Sequence, residues 1–438
     1  MQSVIQFGEG NFLRGFVDCF LYKMKQQGLF NGDVTVVQPI PQGRCAQLDA
    51  QHGKYNLFLR GLENGTPKSE HLYVDVITGT VNPYDDYAAY LALAHNADYR
   101  FIISNTTEAG IAFDASCRLE DAPAASFPGK LTQLLYERYK AQLGGFIILA
   151  CELIDSNGAR LKECVLRYAE HWALEPAFSE WIINQNTFAD TLVDRIVTGF
   201  PEQEAQQLAP GDALLDTGEL FHLWVIQGDF ENELPLKKAG INVIWTQDAA
   251  PYKKRKVRIL NGAHTCITPG ALLAGLQTVG DCMDDAVFYG FLRHCLFEEI
   301  LPVIGNTQDN MRFAADTLER FANPYIKHRL SSIALNSVSK FSVRVLPTLL
   351  EYREKFGKYP AGLVTALALL ISFYRKGEPQ DVPEAVTALK ALPLEQLLKK
   401  TELWGTDLTP LYSELKKQLE LIDTLGAAAA AEQVCRNK

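Results

Sequence analysis

No stretch of this sequence approaches the roughly 18 consecutive apolar residues that a membrane-spanning helix needs. Its opening, MQSVIQFGEG, has no basic segment followed by an apolar run. The expectation is therefore a cytoplasmic chain with no membrane partner. An excess of positive charge is also missing. The formal net charge is −10, which repels phosphate backbones and anionic lipid and argues against nucleic acid as a partner. Nine cysteines stand at positions 19, 45, 117, 151, 164, 266, 282, 295 and 435, and no two form a CxxC pair. Their odd number and scatter predict reduced, mostly buried thiols rather than a disulfide frame. The eight histidines show neither HxxxH nor HExxH spacing. His264 with Cys266 and His294 with Cys295 come nearest to a ligand cluster. Neither has a second pair at finger-like spacing, so no metal site is expected.

What is present is ordinary for a globular protein: 438 residues, 47% hydrophobic and 21% charged. That length predicts two domains, each able to bury its own core. Ser3–Phe7 reads as a short apolar strand. Gly8, Glu9, Gly10, Asn11 and Phe12 follow, and then a helix whose apolar face is Phe12, Phe16, Phe20 and Met24. Val34–Val37 is a β-branched strand. Strand, glycine loop, helix, strand makes a βαβ unit. Glycines at the mouth of its helix let backbone amides approach a pyrophosphate, whose charge the helix dipole favours. A plain tight turn is the other reading of GxG. Arg14, one turn on, is either a further phosphate contact or an exposed helix residue. The second strand should end on an acid that holds a ribose, but the sequence there is Val37, Gln38, Pro39, Ile40. Arg44 lies close enough in sequence to meet a 2′-phosphate, so NAD and NADP both stay open.

Further strands are predicted at 55–62, 71–78, 100–104 and 145–151, with a helix over 83–95 that has Pro83 in its first turn. The strand at 100–104 empties into Asn105, Thr106, Thr107 and Glu108. The strand at 145–151 empties into a second polar exit from Glu152 to Asn157 and Gly158. Polar residues just past the carboxyl ends of parallel strands sit where ligands bind in open α/β sheets; helix capping is the competing use. Asp194 and Arg195, adjacent charges in an apolar segment, predict a buried pair or a pocket wall. Strands at 221–228 and 241–245 close this half. After Pro251 only helical periodicity remains, with segments at 253–276, 284–300, 308–321, 325–336, 343–356, 361–374, 384–392 and 409–425. The domains are expected at 1–250 and 251–438.

The stretch from Tyr252 to Thr265 reads YKKRKVRILNGAHT. On a helix at about 100° per residue, Lys256, His264 and Asn261 fall at about 0°, 80° and 140°. One arc then carries an amine, an imidazole and an amide. An amine crowded by like charge and partly desolvated loses proton affinity and can act as a base near neutral pH. A solvated basic face is the alternative. Two basic clusters, Lys327 to Arg329 and Lys340 with Arg344, are candidates for a carboxylate or phosphate on the substrate, or else complement helix dipoles.

Taken together, FGEGNFLRGFVD, FIISNTTEAGI, CELIDSNG, LVDRIVTGFP, PYKKRKVRILNGAHT and NPYIKH resemble the long-chain polyol (mannitol) dehydrogenases, and within them the hexuronate reductases. The segments run from residue 7 to about residue 347. The K-x4-N-x2-H spacing is the specific one. The resemblance implies a Rossmann-like, doubly wound α/β N-terminal domain followed by an all-α C-terminal domain, and a metal-independent hydride transfer with NAD. It matches the family's catalytic lysine to Lys256, its oxyanion-stabilising asparagine to Asn261 and its histidine to His264. It matches the VDRI aspartate to Asp194 and a substrate-side lysine to Lys340. Three positions depart from the polyol-oxidising pattern: Leu153 stands for an asparagine, Ser332 for an arginine, and no acid follows the second strand.

The resulting expectation is an enzyme that interconverts a keto-hexuronate and a hexonate. Lys256 is its acid and base, Asn261 and His264 its oxygen-binding partners. Gly8, Gly10, Asn11, Phe12, Gln38, Asn105, Thr107 and Glu108 are expected at the cofactor, and Asn157, Asp194, Lys340 and Arg344 at the substrate. The chain is expected to be a monomer or small homo-oligomer. An uncharged polyol or a sugar phosphate is the rival substrate, and a nucleotide-binding regulator without turnover is the rival class.

Overall fold

The structure is a computed structural model that describes residues 2–107 and 109–436. The chain forms two compact units: one runs to Arg60 and from Lys68 to Ala250, the other takes Gly61–Pro67 and everything from Pro251 on.

Twelve strands are present among the described residues: β1 Ser3–Phe7, β2 Val34–Val37, β3 Tyr55–Glu63, β4 Thr66–Val74, β5 Ile77–Val81, β6 Tyr99–Ser104, β7 Ile147–Ala150, β8 Thr187–Ala189, β9 Thr191–Asp194, β10 Asp216–Gly218, β11 Leu223–Gln227 and β12 Val243–Thr246. Six make one sheet in the order β5-β2-β1-β6-β7-β8, parallel at every pairing. Counted by appearance within that sheet the order is 3-2-1-4-5-6, that of the doubly wound dinucleotide-binding fold. The order reverses between β1 and β6. Alternation along each strand feeds two cores. Val4, Phe101, Ile103, Ile147 and Leu149 pack on one face, and Ile5, Ile102, Ile148 and Ala150 on the other. Strands buried on both faces read as continuous apolar runs, which is why β1, β6 and β7 stand out in the sequence.

Several elements differ from the sequence reading. The segment 71–78 turns a corner at Asp75 and Val76, so it holds the end of β4 and the start of β5, which belong to different sheets. The helix expected over 83–95 begins only at Tyr87, where Asp86 accepts a hydrogen bond from the Ala89 amide. Pro83 lies in the turn before it. The first helix is broken at Phe16 into Asn11–Gly15 and Val17–Gln26.

From Pro251 on, no strand occurs among the described residues. The helix Ala361–Lys376 is buried from Gly362 to Tyr374 and forms the axis of this unit. Its first amides are capped by a buried carboxylate from elsewhere: Gly362 N and Leu363 N donate to Glu299, at 2.7 and 2.8 Å. The helix Gly262–Leu273 packs on it closely; a Cβ on Gly270 would lie 2.7 Å from Leu369. Residues 325–336 are helical only at Leu330–Ile333, because Asn323 Oδ1 accepts from the Tyr325 amide and forms a turn instead. Ser337–Arg344 is a helix the sequence reading missed.

Candidate functional site

In the first unit the glycine loop lies at the point where strand order reverses. Gly8 has φ +122°, and a Cβ there would stand 2.9 Å from the carbonyl oxygen of Asn105, on the loop after β6. The two loops therefore touch backbone to backbone, which only glycine permits. Gly8 N donates to Val37 O at 3.2 Å and Asn105 N to Phe7 O at 3.0 Å. Gly10 is the opposite case. Its φ is −72° and no atom lies within 4 Å of where its Cβ would be. It leads straight into the Asn11–Gly15 helix with no side-chain cap. Between them Glu9 is 7% exposed, and its Oε2 is buried without a partner among the described residues. A tight glycine, an open glycine and an unsatisfied carboxylate oxygen at the switch point fit a dinucleotide.

The other residues predicted in this unit sort by their hydrogen bonds. Asn105 Nδ2 donates to Cys151 O at 2.8 Å, tying the two strand exits together. Glu152 completes that tie by accepting from Ser104 Oγ, Thr106 Oγ1 and Thr106 N. Thr107 has φ +75°. Glu108 lies outside the described residues. Asn11 Oδ1 accepts from Arg14 at 2.6 Å, and Phe12 stacks on Phe16 at 5.1 Å. Gln38 is buried; its amide donates to Ile40 O and Pro41 O, holding the loop after β2. Asn157 is 1% exposed, with its amide donating to Glu152 O and Thr191 O and its oxygen accepting from Gly158 N and Thr191 N. Its hydrogen-bonding groups are thus all engaged in joining the exit of β7 to the start of β9, a structural use in place of the expected substrate contact. Arg14 is neither exposed nor free for a phosphate: it is fully buried and donates to Leu214 O and Asn11. Burial pushes the carboxyls of Asp18 and Asp216 near it up to about 7. Asp194 is buried on β9. Arg195 is buried too, but its guanidinium donates to the carbonyls of Gly15, Leu220 and Phe221.

In the second unit the helix Ala250–Lys256 passes through a π turn, Val257–Asn261, into Gly262–Leu273. That extra residue changes the arc. A π turn rotates everything after it back by about 100° relative to an unbroken α-helix. Asn261 then falls about 40° from Lys256 on one side and His264 about 20° on the other, so the three share a narrower face. Three cations beside Lys256 in sequence have partners of their own. Lys254 and Arg258 both bind Glu351, at 3.1 and 2.9 Å, and Arg255 lies over the rings of Tyr252 and Phe313.

His264 is 7% exposed and stacks on Phe321, centroids 4.0 Å apart and planes 16° apart. The ring of His328 meets it edge-on at 5.1 Å. Nε2 of His264 is buried and has no partner among the described residues. Burial first, then His328, Arg320, Arg344 and Lys340, holds this imidazole well below the usual histidine range, so it is neutral. The His328 ring thus touches it, and the charges of Arg320, Arg344 and Lys340 act on it. Of the basic run at 327–329, Lys327 and Arg329 are exposed and only His328 turns toward His264. Burial, then Arg344, lowers the Lys340 ammonium, whose Nζ donates to Ile333 O at 2.9 Å. Asp381 opposes it but is itself bound by Val338 N, Val382 N and the Tyr374 hydroxyl. Arg320 and Phe321, at the end of the helix Gln308–Phe321, were not foreseen; nothing in their spacing marks them. No group of three His, Cys, Asp or Glu side chains is placed to hold a metal among the described residues, and no helix there is long and apolar enough to cross a membrane.

Comparison with known proteins follows this division. Residues 2–238 match the mannitol dehydrogenase Rossmann domain and residues 248–423 the mannitol dehydrogenase C-terminal domain. The chain is 43% identical to an altronate oxidoreductase of Bacillus subtilis (strain 168), over 99% of this chain and 95% of that one. It is 47% identical to an altronate oxidoreductase of Escherichia coli O7:K1, over 99% and 97%. Among solved structures it resembles a substrate-free D-sorbitol dehydrogenase (TM-score 0.84, 22% identity, 98% and 97% covered). It also resembles the mannitol 2-dehydrogenase of Pseudomonas fluorescens, solved with NAD and D-mannitol (TM-score 0.76, 20% identity, 100% and 95% covered). These last two speak to the fold. The chain belongs to the mannitol dehydrogenase family.

Proposed function

We propose that this chain is an NAD-dependent oxidoreductase that interconverts the keto-hexuronate tagaturonate and the hexonate altronate. The observation that supports this most is the buried, neutral His264, on which the charges of Arg320, Arg344 and Lys340 act and against which the His328 ring packs edge-on. Three cationic side chains acting on one buried imidazole, in a protein of net charge −10, suit a substrate that carries a carboxylate. The names of the full-length relatives agree.

When bound, the cofactor supplies the hydride that reduces the keto carbon. Gly8, Gly10, Asn11 and Phe12 after β1, with Asn105 and Thr107 after β6, would hold it. Lys256, as ammonium, donates a proton to the carbonyl oxygen as that oxygen becomes an alkoxide; in oxidation the neutral amine takes the proton back. Asn261 donates its amide N–H to the same oxygen. Nε2 of His264 orients a substrate hydroxyl. Lys340 and Arg344 pair with the carboxylate, and Asp194 accepts from a hydroxyl. In this reading the first unit binds the dinucleotide, and the second carries the acid–base and carboxylate groups.

The test is a substrate panel. NADH oxidation should be fast with tagaturonate and at least a hundredfold slower, by kcat/KM, with fructose and with a sugar phosphate. Preference for fructuronate would move the substrate within the hexuronates. Preference for the phosphate would overturn the carboxylate reading. NADH binding with no turnover on any of them would favour a regulator.

A further inference from the structure

The second strand ends without the acid that normally selects NAD, and the structure shows where a carboxylate comes from instead. Gly43, on the loop after β2, has no room for a Cβ. An atom there would stand 2.3 Å from Glu9 Oε1 and 2.4 Å from the Gln38 side chain. Glu9 of the glycine loop therefore reaches across to the end of β2 and lies beside Gln38, the position at which that acid is missing. Its Oε1 accepts from the Arg44 amide at 3.2 Å. Its Oε2 is buried and without a partner among the described residues.

We infer that Glu9 is the cofactor-selecting residue of this enzyme, its Oε2 accepting a hydrogen bond from the 2′-hydroxyl of the adenosine ribose. The inference rests on the dinucleotide reading above. A ribose hydroxyl is a donor, and a charge-assisted O–H···O⁻ bond satisfies the oxygen that the protein leaves empty. A 2′-phosphate offers acceptors and about two negative charges, which the same carboxylate repels. Arg44 does not reverse this. Its backbone amide is committed to Glu9, and its guanidinium reaches Asn11 Oδ1 at 3.4 Å. The groups around Glu9 are few. Burial raises its carboxyl above the usual range, against the backbone amides of Glu9 and Arg44 and the charges of Arg44 and Arg14, and Glu9 in turn helps raise the Cys45 thiol.

The test is equilibrium binding, read by fluorescence titration without substrate. Wild-type protein should bind NADH at least tenfold more tightly than NADPH, and at least tenfold more tightly than NADH lacking the adenosine 2′-hydroxyl. Glu9→Gln keeps the shape and removes the charge. It should lose about tenfold to a hundredfold in NADH affinity and most of its discrimination against both analogues. Equal wild-type affinity for NADH and its 2′-deoxy analogue would overturn the inference without any variant having to fold. So would a folded Glu9→Gln that discriminates as wild type does. If wild type binds neither NADH nor NADPH, the dinucleotide reading itself fails.

Discussion

One chemical change, a single methyl group, should have opposite consequences at two positions two residues apart. Gly8→Ala puts a Cβ at φ +122°, 2.9 Å from a backbone oxygen of the facing loop. The conformation costs about 1–3 kcal/mol for a residue with a side chain. Forcing the loops after β1 and β6 apart costs about the same again. A loss of roughly 2–6 kcal/mol should lower the unfolding midpoint of the first unit by about 10 °C. Gly10→Ala has an ordinary φ of −72° and an empty space for its methyl. Its stability should stay within about 0.5 kcal/mol of wild type. The methyl would, however, stand where a pyrophosphate must approach backbone amides, so NADH affinity should fall at least tenfold, about 1.4 kcal/mol. Thermal unfolding and NADH titration on both variants are the assay. If Gly10→Ala binds NADH as wild type does, the open face at Gly10 is not where the cofactor lies. If Gly8→Ala is as stable as wild type, the close approach of the two loops is wrong.

Further expectations concern the second unit. Arg344→Ala should raise KM for the keto-hexuronate by tenfold or more and change kcat less, with NADH affinity unaffected; an unchanged KM would remove Arg344 from the carboxylate site. His264 is held neutral when folded and has a value near 6.5 when unfolded, so below pH 6.5 the unfolded chain binds the extra proton. Its contribution to stability is therefore present above pH 6.5 and falls by about 1.4 kcal/mol per pH unit beneath it. Urea unfolding at pH 7 and pH 5 should show a steeper acid loss in wild type than in His264→Asn; equal slopes would contradict the burial argument.

The sequence carries the central sheet because its parallel strands are buried on both faces. Ser3–Phe7 and Val34–Val37 lie where the apolar runs predict them. It hides β8 and β10, three residues each, which are too short to show a period. It also hides the corner at Asp75 and Val76, since an apolar run says nothing about which sheet each half joins. The π turn at Val257–Asn261 is invisible for another reason: adding a residue to a helical turn alters no residue type. That turn is what narrows the arc shared by Lys256, Asn261 and His264. The sequence marks Asn157 as part of a polar strand exit and Gln38 as a cofactor contact, yet both side chains bond the backbone of their own loops. Composition shows a polar group at a strand end but not which partner it faces.

The account turns on the ε-amine of Lys256 moving the proton during reduction. Single-turnover reduction of tagaturonate by NADH should be slowed at least a thousandfold in Lys256→Ala, with NADH affinity retained. A small primary amine added to the variant should recover part of the rate, and in proportion to the amine's free base when the oxidation of altronate is followed. A variant that turns over within tenfold of wild type would contradict the assignment and, with it, the chemistry proposed for this chain.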